Sequence, residues 1–355
     1  MNQPTPVTAR YAPQPAGVAW PTNRWPVADA SDALTRVVDD AFTAPEMSET
    51  QAVVVVQGGR VLVERYAGEI LHFDRPAEPV TAATALLSWS MAKSVLHFAV
   101  GTLVDDGLVD PGDRAPVPEW DDPADKRRVI RVADMLAQRD GLDWIENYQL
   151  GEPSDVIEML FGAGRDDVAG YAARIAAGYA PDTRFNYSSG TSNLLSRIVA
   201  DRVGYGAAFA EYLRSRLFGP LGMTSARLTF DARGVWVASS YLYATALDYA
   251  RFGLLYLRGG EWDGQRLVNQ TWTDTAQRPL SVDAESGDLY SWHWWVTGDR
   301  YGTYWASGYE GQMINVVPAL DAVVVRLGKS PEENGPARDA WRRRVFDVLA
   351  NYAPS

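Results

Sequence analysis

Two kinds of apolar pattern alternate along this chain. Near its start, Gln51 to Gln57 and Arg60 to Tyr66 are β-branched runs separated only by Gly58-Gly59, which predicts a β-hairpin. Near its end, Tyr301 to Ser307, Gly311 to Val317 and Asp321 to Leu327 read as three more antiparallel strands, and about Ala337 to Ala350 as a closing helix. Ser31 to Phe42 places Leu34, Val37, Val38 and Phe42 at helical spacing, with Ser31 or Asp29 as the cap. From about Ser90 to Leu228 the pattern is mostly helical, interrupted by loops such as Asp110-Pro111-Gly112. Leu242 to Leu257 predicts one further helix, stopped by Gly259-Gly260.

Pairing the β-rich ends gives an α/β (α+β) fold: a central antiparallel sheet flanked by helices, with an inserted, mostly helical domain. The division expected is 1–28 as a Pro-rich arm lying over a domain, 29–89 and 229–355 as the α/β domain, and 90–228 as the helical domain. A ligand cleft is expected where the two domains meet.

Composition removes several function classes. Across 355 residues, 46% are hydrophobic and 22% charged, as in an ordinary soluble globular protein. The net charge of −12 argues against nucleic acid or an anionic membrane as partner, and Arg342-Arg343-Arg344 reads as a solvated helix face. Without cysteine there are no disulfides and no thiolate metal sites. Met1 to Trp20 lacks the apolar core of a signal peptide, and no stretch approaches eighteen apolar residues, so a cytoplasmic location is expected. Neither a metal nor a cofactor is expected: there is no H-E-x-x-H and no His pair at ligand spacing. Gly328-Lys329-Ser330 looks like the end of a phosphate loop, but Val323 stands where its first Gly is required.

Lysine is rare here, limited to Lys93, Lys126 and Lys329, and Lys93 lies in an apolar run from about Ser88 to Val104. Asp105-Asp106-Gly107 ends that run, so Lys93 falls in the first turn of a helix. Unpaired N–H groups there disfavour a cation, and burial lowers an amine pKa further. Ser90, three positions earlier, shares its face. S-x-x-K is a nucleophile signature of serine hydrolases. The other reading is a lysine whose stem packs while its head reaches water. Tyr187 precedes the polar run Ser188 to Asn193, which caps a helix; alone it is either a proton relay beside Lys93 or a packing Tyr ahead of a cap. In Trp305-Ala306-Ser307-Gly308-Tyr309-Glu310-Gly311-Gln312, small residues at a strand end admit a substrate, and the Tyr309 N–H could join that of Ser90 as an oxyanion hole.

These three segments, in this order, resemble the serine β-lactamase/penicillin-binding-protein superfamily, with its β-lactamase/transpeptidase-like fold. The likeness is closest to class C β-lactamase-like esterases and amidases, especially the nylon-oligomer (aminohexanoate-dimer) hydrolases. It extends from about residue 50 onward and includes Met135-Leu136-Ala137-Gln138-Arg139-Asp140-Gly141-Leu142, Ala244 to Gly253 and Tyr290 to Trp295. The resemblance implies Ser90 as acylated nucleophile, Lys93 as its proton partner, Tyr187 as general acid/base, and Ser307 and Gly308 beside the substrate. Asp143 to Tyr148 is similar to a mobile loop of that group. This makes Tyr148 a hydrogen-bond donor to the scissile group and Trp295 a wall of the acyl pocket, although plain aromatic packing explains either.

Two departures shape the expectation. The family's Tyr-x-Asn is Tyr187-Ser188-Ser189, and Ala306 stands where lactamases carry the Lys or His that pairs with a substrate carboxylate. The function expected is therefore hydrolysis of small esters or amides through an acyl-enzyme. A β-lactamase or D-Ala-D-Ala carboxypeptidase, and a non-catalytic module on the same fold, are the alternatives. The partner expected is a small-molecule ester or amide, with a homodimer allowed.

Overall fold

The computed structural model describes residues 11–351 apart from Phe73, Leu150 and Glu285, so the first ten residues of the expected arm lie outside the described residues. Ser31 Oγ accepts the Leu34 N–H and opens helix α1 (Asp32–Thr43). Strands β1 (Glu49–Gln57) and β2 (Arg60–Tyr66) follow, joined by Gly58 and Gly59 at φ 58° and 71°. Two successive positive φ angles match the twist of a tight hairpin, and glycine adopts them without steric cost. A 3-10 turn, Trp89–Met91, leads into α2 (Ala92–Asp105). The other two long central helices are α3 (Ser189–Val203) and α4 (Ala246–Leu257). Then come β3 (Ser281–Val282), β4 (Leu289–Tyr290), β5 (Trp295–Val296), β6 (Tyr304–Gly308), β7 (Gln312–Val317), β8 (Ala322–Lys329) and the closing helix α5 (Gly335–Ala350).

The eight strands form one antiparallel sheet in the order β3-β4-β5-β6-β7-β8-β1-β2, with Val54 opposite Val325 where the two chain ends join. Ala52, Val54 and Val56 point into the core shared with α2 and α4, while Val53 and Val55 pack with Leu34, Val38, Trp341 and Phe346 of α1 and α5. Helices on both faces explain why the strand reads as an unbroken apolar run instead of an alternating one. Register is fixed because a one-residue slip would exchange the two cores. β3 to β5, absent from the sequence reading, are two residues each and too short to show a period.

Helix α2 is buried on every side from Ala92 to Leu103. Burying Leu96, Phe98 and Leu103 is worth roughly 1.5–3 kcal/mol each. Gly101 is required there, because a Cβ would come within 2.3 Å of the Trp272 indole. Ser88 stands at the N-cap position of the 3-10 turn without a side-chain cap bond: its Oγ shares its proton between the carbonyls of Trp89 and Ser240 and accepts the Leu242 N–H.

One expected boundary is corrected. Leu242–Ala244 is a strand between Leu86–Leu87 and Arg227–Leu228, and α4 starts only at Ala246, where Thr245 Oγ1 accepts the Asp248 N–H. Pairing with strands distant in sequence outweighs a helical spacing that continues by chance into the strand. Residues 11–28 pack on the body: Trp25 is buried and donates to Leu247 O, Arg251 donates to Pro21 O, and Val27 bridges to Val61 of β2. Among the described residues, no helix is long and apolar enough to cross a membrane.

Candidate active site

Ser90 lies in the 3-10 turn at the head of α2, half-buried, with the wholly buried Lys93 one turn further on. The Lys93 ammonium donates to Ser90 Oγ at 2.9 Å, to Ser189 Oγ at 3.1 Å and to Ser239 O at 3.1 Å, so its three N–H groups are all used. Burial lowers its pKa from the ordinary 10.5 to about 8, and the Glu146 carboxylate opposes part of that fall. About a tenth of the amine is then neutral at pH 7. Ser239 is held in turn by Asn193 of α3, which accepts its N–H and donates to its hydroxyl.

Tyr187 enters from the loop before α3. Ser188 caps that helix by accepting the Thr191 N–H, so Tyr187 is fixed just outside the first turn. Its ring lies over Lys93, 4.7 Å from Nζ to centroid, which favours the cation, and the neighbouring Ser90 side chain acts to lower the pKa of its hydroxyl. Burial and the Glu146 charge hold its pKa well above the usual tyrosine value, so at neutral pH it is a phenol with a proton to give.

Glu146 and Ser189 belong to the same cluster and were not singled out from the sequence. Ser189 Oγ accepts from Lys93 and donates to Glu146 Oε1 at 2.6 Å, forming a hydrogen-bond chain from amine to carboxylate. Glu146 also accepts from the Ser189 N–H at 2.9 Å, Tyr148 Oη at 2.6 Å and Trp144 Nε1 at 2.5 Å. Its loop is tied down by Asn186 Nδ2, which donates to the carbonyls of Leu142 and Trp144. The only sequence signal was indirect: Ser189 occupies the Asn position of Tyr-x-Asn, and Glu146 lies two residues before Tyr148.

The third wall is the end of β6. Ser307 pairs with Met313, and Gly308 is pressed against the turn before Ser90, where a Cβ would meet Ser88 O at 2.3 Å. Glycine is therefore a steric necessity at 308. Tyr309 begins the turn to β7, is 40% exposed, and meets the Trp89 ring edge-on at 5.6 Å. Below that turn the fully buried Arg326 donates to the carbonyls of Glu310, Gly311, Met47 and Glu49 and to the hydroxyls of Thr50 and Ser330. Burial brings its pKa from 12.5 to about 9, leaving it charged at neutral pH.

Aromatic rings form the rim. Tyr148 stacks on Tyr309 with centroids 4.9 Å apart, and its hydroxyl is committed to Glu146. Trp295 lies 5.6 Å from the Tyr187 ring and packs on Phe185 and Tyr290. Ala306 is buried and brings no cation to the site. The buried histidines have other partners. His97 bonds Tyr256 and Thr275, while His293 bonds Ser192 and the Leu136 carbonyl and has its pKa pushed down to about 3 by burial. Among the described residues no group of three or more His, Cys, Asp or Glu is arranged to hold a metal ion. The site thus combines a hydroxyl, a partly deprotonated amine and a phenolic proton, the parts needed for nucleophilic acyl transfer.

Comparison with known proteins places the chain in a family. A family profile described as Beta-lactamase matches residues 37–348. A 6-aminohexanoate-dimer hydrolase of Paenarthrobacter ureafaciens is 28% identical over 359 residues, covering 91% of this chain and 82% of its own. Among solved structures, a Bacillus anthracis protein provisionally described as a 6-aminohexanoate-dimer hydrolase superposes with a TM-score of 0.75 at 18% identity, covering 96% of this chain and 90% of that one. D-amino acid amidase of Ochrobactrum anthropi SV3 superposes with a TM-score of 0.66 at 18% identity, covering 90% and 98%. At those identities the superpositions carry the fold, which is the β-lactamase/transpeptidase-like one expected. The chain belongs to the beta-lactamase family of hydrolases.

Proposed function

We propose that this protein hydrolyses ester or amide bonds of small substrates through an acyl-enzyme on Ser90. The observation that carries the reading is the wholly buried Lys93, its Nζ 2.9 Å from Ser90 Oγ and its pKa brought down to about 8. A neutral amine keeps two donors for Ser189 and Ser239 and turns its lone pair to the Ser90 hydroxyl. Ser90 Oγ then bonds to the substrate carbonyl carbon while its proton passes to Lys93. The carbonyl oxygen takes the negative charge and is stabilised by the N–H groups of Ser90 and Tyr309. When the carbon–oxygen or carbon–nitrogen bond breaks, Tyr187 gives its proton to the leaving group and recovers one from Lys93. Water releases the acid by the same steps in reverse order.

An acyl group without a carboxylate suits this site best, because its surroundings are aromatic and Ala306 supplies no cation. Amides are supported as substrates by the names of the relatives, an aminohexanoate-dimer hydrolase and a D-amino acid amidase. The deciding experiment is p-nitrophenyl ester turnover by Ser90→Ala, expected to vanish together with the acyl adduct seen by intact mass. Near-wild-type turnover in that variant would refute the assignment. A chromogenic cephalosporin is expected to turn over slowly or not at all; rapid hydrolysis would favour the β-lactamase reading.

A further inference from the structure

The two amides proposed to bind the oxyanion come from different parts of the chain, and each lies next to a residue with a left-handed backbone. Trp89, immediately before Ser90, has φ 45°, and Glu310, immediately after Tyr309, has φ 61°. For a bulky residue that conformation is disfavoured and persists only where surrounding contacts over-determine it. Here the two residues hold each other: Trp89 Nε1 donates to Glu310 Oε2 at 3.2 Å. The Trp89 ring also meets the Tyr309 ring edge-on, and on its other side lies 6.3 Å from that of Tyr241.

Each end of this link is anchored. Trp89 O accepts from Ser88 Oγ, and the Ser88 backbone donates to Leu242 O. Glu310 O accepts from Arg326 Nη1 and from the Ser330 N–H, both at 3.0 Å, while Tyr309 O accepts from Gln312 Nε2 at 3.1 Å. The Trp89 peptide orients the Ser90 N–H, and the turn at Glu310 sets where β6 ends and thus where the Tyr309 N–H lies. A carboxylate gripping the indole therefore ties one donor of the hole to the other.

We propose that Trp89 and Glu310 form a strut that fixes the separation of the two oxyanion donors, acting as positioning residues for acyl transfer. This rests on the function proposed above. Preorganised donors work only at the right spacing, and loss of one outright slows an acyl-transfer enzyme by about 10²–10³-fold. Loosening the strut displaces a donor without removing it, so a loss of about tenfold in kcat is expected for both Glu310→Ala and Trp89→Phe, with KM changed by less than about threefold.

The test measures p-nitrophenyl ester kinetics and thermal unfolding for wild type, the two single variants, the double variant and Glu310→Gln. The double variant is expected to be no slower than the slower single, because both break one link. Glu310→Gln should recover most of the rate, since its amide oxygen still accepts the indole N–H, and should leave the pH profile in place. Multiplicative losses, an undiminished Glu310→Ala, or a Glu310→Gln as slow as the alanine variant with its unfolding midpoint lowered in parallel would overturn the strut. An inactive wild type would instead remove the underlying reading of function.

Discussion

Lys93 and Arg326 are both buried cations, one at the head of α2 and the other under the turn between β6 and β7. Burial lowers both pKa values, to about 8 and about 9. Their surroundings differ in kind. Two of the three acceptors of Lys93 are hydroxyls, which can donate as readily as accept, so the amine can lose its proton without stranding a neighbour. Four of the acceptors of Arg326 are carbonyl oxygens, which can only accept. A guanidinium also spreads its charge over a fixed fork of five N–H groups and holds its proton far more firmly. The same burial therefore leaves one cation poised to titrate and locks the other in place as a brace.

The largest effect should come from deleting the reactive member. Lys93→Met is expected to lower kcat/KM by about 10³–10⁴-fold, as for loss of a general base, while the circular dichroism spectrum is kept. An active Lys93→Met would break the comparison at its centre. Arg326→Met should act on stability instead: four carbonyls lose a charged donor, and unfolding in urea is expected to weaken by about 3–4 kcal/mol. An unshifted midpoint would show that the guanidinium braces nothing.

Linkage gives a third measurement. The ammonium of Lys93 is disfavoured in the folded state, with a pKa of about 8 against an ordinary 10.5. Below pH 8 both folded and unfolded chains carry the proton and the penalty is constant. Between pH 8 and 10.5 only the unfolded chain carries it, so folding gains stability as pH rises. The unfolding free energy of wild type minus that of Lys93→Met should therefore rise by up to about 3 kcal/mol across that window. A flat difference would mean that Lys93 titrates normally. The smallest effect concerns Glu146, whose charge raises the pKa of Lys93. Glu146→Gln is expected to move the acid limb of the kcat/KM profile from near pH 8 downward by less than about one unit, roughly 1 kcal/mol. A limb that moves upward would contradict the assigned sign.

What could be read from the sequence was what local geometry dictates. Gly58-Gly59 announced a hairpin because only such a pair takes two positive φ angles cheaply, and Ser90 and Lys93 announced a shared helix face because three positions nearly complete a turn. Leu242–Ala244 was misread because its partners, Leu86–Leu87 and Arg227–Leu228, are remote in sequence. Glu146 was overlooked for the same reason: it meets Ser189 across 43 positions, and its loop drew attention only to Tyr148. Arg326 was hidden inside a valine strand, where its acceptors from Met47 to Ser330 become visible only once β8 lies beside β1.

At Gly308 the sheet and the head of α2 meet backbone to backbone, too closely for even a methyl group. A joint without an adaptable side chain has no slack to absorb a misfit. Grafting the helical region of one relative onto the sheet of another would pass any mismatch directly to the Ser90 hydroxyl. Substrate preference is more safely re-engineered at Trp295, a half-buried ring that packs on Phe185, Tyr187 and Tyr290 and stands apart from that joint.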